Sequence, residues 1–143
     1  MFIGEYEHNL DLKGRLAIPA KFRVDLKDGA VVTKGLDNCL VLYTKKKWLE
    51  LAPKLANMPI NKANTRAFAR FMLAGAMDVD FDSQGRIILP HYLRKFAGLK
   101  KKVIVAGLFD RLEIWDEATW NKHKTSTEKK SGDIAEALGE LGV

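Results

Sequence analysis

The same order of apolar and polar positions occurs twice along this chain. Gly4 to Arg23 (GEYEHNLDLKGRLAIPAKFR) aligns with Gly75 to Arg94 (GAMDVDFDSQGRIILPHYLR) at a spacing of 71 residues. Gly4/Gly75, Asp11/Asp82, Gly14/Gly85, Arg15/Arg86, Pro19/Pro90 and Arg23/Arg94 are identical. Leu10/Phe81, Leu16/Ile87, Ile18/Leu89 and Phe22/Leu93 keep apolar character. One inserted residue later, at a spacing of 72, Val31 to Trp48 aligns with Val103 to Trp120. Identities spread over more than forty positions with a single gap read as a tandem duplication.

Each copy predicts the same small unit. Residues 4–10 and 75–81 are extended. Asp11-Leu12-Lys13-Gly14 and Asp82-Ser83-Gln84-Gly85 place Asp first and Gly fourth, the preference of a type I turn with glycine in the left-handed position. Residues 15–18 and 86–89 return as strands, and Pro19 and Pro90 open short helices over 19–26 and 90–97. Strands near 30–34 with 39–43, and near 102–106 with 111–115, complete the copies. Thr44 and Asp116 then suit helix N-caps, with Tyr43/Trp48 and Trp115/Trp120 placed as hydrophobic staples. Ala67, Phe68, Phe71 and Met72 fall at helical spacing over about 61–74, and Ile134, Ala135, Leu138 and Leu141 form an apolar set in the tail.

This divides the chain into a first repeat with its trailing helix (1–58), a linking helix (59–74), a second repeat (75–120) and a polar C-terminal tail with a helix (121–143). A unit of about 45 residues buries too little apolar surface to stand alone. The two copies are therefore expected to form an intramolecular pseudo-dimer, strands of each completing the other's barrel.

Charge distinguishes the copies. The chain carries a net charge of +6, yet residues 1–70 hold thirteen basic and seven acidic side chains while residues 71–143 hold eleven of each. All of the excess falls in the N-terminal half, which points to an electrostatic contact surface there. Lys45-Lys46-Lys47 and Lys100-Lys101-Lys102 read as solvated faces, and Arg66 and Arg70 as solvent-facing. With one cysteine, Cys39, no intramolecular disulfide or cysteine zinc site is possible. No apolar run is long enough for a membrane span, and the N-terminus lacks the plan of a secretory signal, so the expected compartment is the cytoplasm.

Catalysis finds little to work with. His8, His91 and His123 fall in an extended segment, a helix start and the polar tail, none at a ligand spacing. Cys39 reads as a small buried hydrophobe. Phosphate loops and nucleophile elbows are absent from the sequence. The basic residues say more. Lys13, Arg15, Lys21 and Arg23 fall on the first turn, its returning strand and the next helix. An arginine just after the turn glycine can grip a phosphate bidentately or read guanine O6 and N7 in a major groove. It can also pair with Asp11 and only stiffen the turn; an Asp that orients an Arg towards a ligand serves both roles. Asp82 and Arg86 repeat the pair, but Ser83 and Gln84 replace Leu12 and Lys13 and Lys21 has no counterpart, so the first copy is the stronger contact.

Taken together, Met1-Phe2-Ile3-Gly4-Glu5-Tyr6, the segment Asp11 to Ala20, Asp82 to Pro90 and Gly107 to Trp115 closely resemble the MraZ family of bacterial transcriptional regulators. The resemblance covers nearly the whole chain apart from the last fifteen or so residues. It implies an α+β, mainly β fold: tandem AbrB-like (SpoVT, swapped-hairpin) repeats forming a pseudo-two-fold small β-barrel with flanking helices, assembled into a homo-oligomeric ring. It also implies repression of the protein's own division and cell-wall operon by binding spaced direct repeats in promoter DNA. The family's paired D-x-x-x-R motifs carry over to Asp11 with Arg15 and to Asp82 with Arg86. His91 and the Ser83-Gln84 pair depart from the usual pattern.

The expected protein is thus non-enzymatic, without cofactor, metal or small-molecule substrate. It would be cytoplasmic and nucleoid-associated, with DNA contacts at Arg15, Lys13, Asp11, Lys21, Arg23, Arg86 and Asp82. The alternative is a non-enzymatic oligomeric protein-interaction module of antitoxin-like kind.

Overall fold

A computed structural model of the chain describes residues 1–142. In the first copy, strands β1 (Phe2–Asn9) and β2 (Arg15–Ala17) precede helix α1 (Ala20–Arg23). Strands β3 (Ala30–Lys34) and β4 (Leu40–Thr44) follow, and helix α2 (Lys45–Ala56) leads out. Helix α3 (Ala63–Ala69) continues as a π turn over Arg70–Ala74. The second copy repeats the order with β5 (Met77–Val79), β6 (Arg86–Ile88), α4 (His91–Phe96), β7 (Lys102–Phe109) and β8 (Arg111–Asp116). Helices α5 (Glu117–Lys129) and α6 (Ser131–Ala137) form the tail.

The strands pair across the copies. A six-stranded sheet runs β1-β7-β8-β4-β3-β5, and β2 pairs β6 in a separate two-stranded ladder. β1 of the first copy lies on β7 of the second, and β5 of the second lies on β3 of the first. β4 pairs β8, and β2 pairs β6, each with its own equivalent. Every pairing therefore has its partner under exchange of the copies. Neither copy has a complete sheet without the other.

The expected closed, mainly β barrel is not what forms. The six-stranded sheet is open, with β1 and β5 at its edges, and helix outweighs strand, 42% against 30%. Two features account for this. β5 is only three residues long and pairs β3 alone, over Ala30–Val32, while β1 pairs β7 alone, so the outer edges of both strands stay unpaired. Meanwhile β2, joined to the first strand region by the bridge Leu10–Leu16 and the bond from Asp11 N–H to the Arg15 carbonyl, ladders with β6 and not with the large sheet. The helices of the linker and the tail supply the rest of the imbalance.

One core joins both sheets. Leu16, Ile18, Ile87 and Leu89 from the ladder segment are fully buried with Val32, Leu40, Leu42, Val103, Val105, Leu112 and Ile114 from the large sheet. Phe22 and Leu26 after β2, and Leu93 after β6, close the cluster. Phe22 makes T-shaped contacts with both Phe2 and Tyr6, with ring centroids 5.3 and 5.4 Å away. Truncating a buried leucine here, such as Leu16 or Leu89, would cost about 2–5 kcal/mol. The ladder is therefore anchored by its inward side chains, and its turns are held at a fixed place on the surface.

The helix entries differ between copies. Both staples form, Tyr43 with Trp48 at 5.8 Å and Trp115 with Trp120 at 5.5 Å. The Thr44 hydroxyl accepts from the Lys47 amide at 3.0 Å, as its position at an N-cap requires. Asp116 does not cap α5; it is buried, and its carboxylate accepts from the Lys100 amide at 3.0 Å instead. In the tail, Ile134, Leu138 and Leu141 remain exposed.

Candidate nucleic-acid interface

Both Asp-x-x-Gly-Arg segments close as the same turn. Gly14 donates to the Asp11 carbonyl at 3.0 Å and Gly85 to the Asp82 carbonyl at 3.0 Å. Both glycines sit at positive φ, +83° and +74°, a conformation that costs other residues energy. In the first turn Asp11 Oδ1 accepts from the amides of Lys13 (3.0 Å) and Arg15 (2.8 Å), and Oδ2 accepts from Arg15 Nε at 2.5 Å. In the second, Asp82 Oδ1 accepts from the amides of Gln84 and Arg86, both at 2.9 Å, and Oδ2 from Arg86 Nε at 2.9 Å. The backbone N–H of Arg15 is the main reason the Asp11 carboxyl is held below its ordinary 3.8; desolvation opposes it, and the Arg15 side chain then adds to the lowering. Asp82 is lowered in the same way by the Arg86 amide.

This geometry decides what each arginine can do. The carboxylate engages Nε, the inner nitrogen of the guanidinium. The two terminal nitrogens of Arg15 and of Arg86 have no hydrogen-bond partner among the described residues. Each Asp thus engages the inner nitrogen of its arginine and leaves the outer fork of donors without a partner among the described residues, and such a fork is what bidentate recognition of phosphate or guanine uses.

The remaining predicted contacts separate. Lys13 is exposed at the first turn. Lys21 is exposed but lies over the Tyr6 ring, 4.6 Å from its centroid. Arg23 does not stand beside Arg15: its Nε donates to the Ile18 carbonyl at 2.9 Å, and its guanidinium covers Gly85 of the other copy's turn. Arg94 repeats this crosswise, with Nε on the Leu89 carbonyl at 2.9 Å. A Cβ at position 14 would lie 2.6 Å from the Leu89 carbonyl oxygen and 2.9 Å from Arg94 Nε. The copies lock further through Leu89 N–H to the Gly14 carbonyl (2.8 Å) and Ile18 N–H to the Gly85 carbonyl (3.2 Å). Glycine is required in both turns because the opposite copy's arginine occupies the space a side chain would fill.

Next to the first turn the structure places residues that the repeat pattern reads as a solvated run. Leu10 donates to the Lys101 carbonyl at 2.7 Å, bringing Lys100 and Lys101 of the second copy against Asp11 and Leu12. Nothing within the first copy points to them; the register of β1 on β7, Asn9 opposite Lys102, is what delivers them. Lys47, by contrast, is engaged, with Asp110 at 3.1 Å and Glu50 at 3.7 Å.

Other candidates for chemistry are occupied by packing. Cys39 is buried, donates to the Leu36 carbonyl at 3.1 Å, and has its thiol pushed up to about 12, chiefly by burial. His91 is exposed, and His123 lies against Trp115 at 5.3 Å. Among the described residues, no three His, Cys, Asp or Glu side chains are grouped to hold a metal ion, and no helix is long and apolar enough to cross a membrane.

Comparison with known proteins agrees with the duplicated turn. The family model described as "MraZ protein, putative antitoxin-like" matches twice, over residues 1–71 and 72–138. The chain is 50% identical over 143 residues to the transcriptional regulator MraZ of Pediococcus pentosaceus. It is 46% identical over 143 residues to those of Halothermothrix orenii and Thermoanaerobacter pseudethanolicus. In all three cases the alignment covers 100% of both chains. Matched along its whole length, with both Asp-x-x-Gly-Arg turns built alike, this chain belongs to the MraZ family.

Proposed function

We propose that this chain is a sequence-specific DNA-binding repressor of its own division and cell-wall operon, acting in the cytoplasm on nucleoid DNA. Its relatives are named transcriptional regulators. The observation that carries the reading is the Asp11–Arg15 pair: the carboxylate holds Nε and leaves the outer fork of the guanidinium without a partner among the described residues. Arg15 and Lys13 are the principal contacts, Asp11 orients Arg15, and Asp82 with Arg86 offers a second, weaker contact. Lys21, exposed over the Tyr6 ring, and Arg23, seated over Gly85 of the second turn, are further contacts in this reading.

Two repeats joined by a linking helix form one subunit in this reading, and subunits assemble into a ring. A single subunit with a few phosphate contacts would bind modestly and only at low salt. Several subunits meeting spaced direct repeats gain effective concentration, so avidity can add a factor of about a hundred.

The test is a fluorescence-anisotropy titration on the duplex upstream of the protein's own reading frame. A scrambled duplex of equal length is the control, and Arg15→Ala is run in parallel at two salt concentrations. Repeat-dependent binding that disappears in Arg15→Ala is the expected result. Equal, weak binding to both duplexes would overturn the reading and favour a protein-interaction module.

A further inference from the structure

A cleft of about 550 Å³ opens beside the first turn, with Leu10, Leu12 and Leu99 as its apolar lining and Arg94, Lys100 and Lys101 as its basic one. The first copy contributes Leu10, Asp11 and Leu12; the other side chains come from the second copy. The backbone under the two lysines is fixed at both positions, by Leu10 N–H on the Lys101 carbonyl at 2.7 Å and by Lys100 N–H on the buried Asp116 at 3.0 Å. Their ammonium groups, and the terminal nitrogens of Arg94, form no ion pair among the described residues. Asp11, the cleft's acidic residue, is already saturated by its own turn.

The equivalent cleft at the second turn, about 420 Å³, is built differently. Arg23 and Lys27 share it with Asp80, Ser83 stands in place of Leu12, and Asp82, like Asp11, is taken up by its own turn. At the spacing of 72, Asp28 and Gly29 stand where the second copy has Lys100 and Lys101. The first turn thus gathers three basic side chains with no free carboxylate among them, against two beside Asp80 at the second, and the second copy supplies them. Leu12 stands fully exposed at the lip of that cleft, where an apolar side chain between cations suits the deoxyribose and thymine methyl surface of a duplex better than it suits water.

We propose that Arg94, Lys100 and Lys101 of the second copy form the second wall of the DNA-contact surface around Arg15. They take backbone phosphates while Leu12 and Leu99 meet the apolar edge of the same strand. This rests on the DNA-binding reading above. The surface that recognises DNA is then composite: the first copy carries the reading arginine, and the second carries the lysines that hold the backbone against it. Phosphate contacts of this kind set register and affinity without carrying sequence information.

The experiment is a salt series of operator titrations, from about 50 to 300 mM, on the full-length protein. Removing one phosphate-binding side chain lowers the slope of log K against log salt by about 0.9. Lys100→Ala/Lys101→Ala, both exposed, is expected to lower the slope by nearly two per bound subunit and weaken binding about tenfold or more, with preference over scrambled DNA retained. Lys129→Ala/Lys130→Ala removes equal charge at the end of α5 and is expected to leave the slope unchanged. The proposal is overturned if the first pair keeps the parent's slope, or if both pairs lower it equally. Failure of the parent protein to prefer the operator would instead remove the DNA reading itself, so the two failures are told apart within one series.

Discussion

The first and second turns share the same five internal hydrogen bonds, the same left-handed glycine and an arginine held by Nε in each. What differs is their surroundings. The first turn presents Leu12 and Lys13 and faces Arg94, Lys100 and Lys101; the second presents Ser83 and Gln84 and faces Arg23 and Lys27 balanced by Asp80. Duplication preserved the part of the site that depends on backbone geometry, while the part that depends on field and contact diverged. A turn of this kind is a mount, and its neighbours decide what the mounted arginine can bind.

The largest effect should come from the mounted arginines. Arg15→Ala is expected to abolish operator binding, and Arg86→Ala to weaken it about tenfold. One bidentate contact contributes about 1–3 kcal/mol of discrimination, multiplied at the first turn by the number of subunits engaged. Sedimentation of both variants should give the parent's assembly, because neither guanidinium contributes to the core. Equal losses in the two variants would break the comparison and make the turns equivalent readers.

The internal repeat, both turns, both staples and the Asp–Arg pairs are legible in the sequence because each is set by residues a few positions apart. The strands facing the core are legible for the same reason. What the sequence pattern misjudges depends on how the copies meet. Strand count alone suggests a barrel, but β1 and β5, the two edges of the large sheet, do not pair with each other. Charge counted by halves of the chain favours the first copy, yet the exchange of β1 onto β7 carries Lys100 and Lys101 to the first turn. Proximity in sequence groups Arg23 with Arg15, and the fold places it over Gly85 instead. Asp116 has an N-cap's identity and position but spends its carboxylate on Lys100. These are tertiary facts with no local signature.

The crosswise packing predicts an ordered pair of glycine variants. Gly14→Ala places a methyl group against the Leu89 carbonyl, part of the backbone, at a φ of +83°. Gly85→Ala meets the end of the Arg23 side chain, which can swing away, at a φ of +74°. Both incur the left-handed penalty of about 1 kcal/mol or more. Gly14→Ala should cost about 2–4 kcal/mol in urea unfolding once the backbone clash is added, and Gly85→Ala about half of that. The reverse order would mean that Arg23 is the more rigid brace.

A gain of function would test the surroundings directly. Asp80→Asn with Gln84→Lys removes the free carboxylate of the second cleft and places a lysine at the position equivalent to Lys13. Operator affinity should rise severalfold at about 150 mM salt, with the slope steepening by about one for each additional phosphate engaged. An unchanged slope would show that the second turn does not approach the DNA at all, whatever charge it carries.

The smallest effect is that of pH, and it separates mount from surroundings most cleanly. Asp11 and Asp82 are both lowered from 3.8, in each case chiefly by the arginine's own backbone N–H. Their folded-state values lie below the unfolded ones, so the stability they contribute is complete above 3.8 and is lost as pH falls through the folded values. From about pH 7.5 to 5 neither turn should respond. His8 behaves otherwise: burial first, and then the charge of Arg23, lower it from 6.5. The unfolded chain takes that proton more readily, so stability falls as pH drops below about 6.5 towards the folded value. Its counterpart at the spacing of 71 is Val79, which cannot titrate. Thermal unfolding between about pH 7.5 and 5 should therefore show a small loss that His8→Gln removes, on the Arg23 side that braces the second turn. Persistence of the loss in His8→Gln would place the titrating group elsewhere; a loss that tracked Asp11→Asn instead would mean that the carboxylates, and not the surroundings, distinguish the two turns.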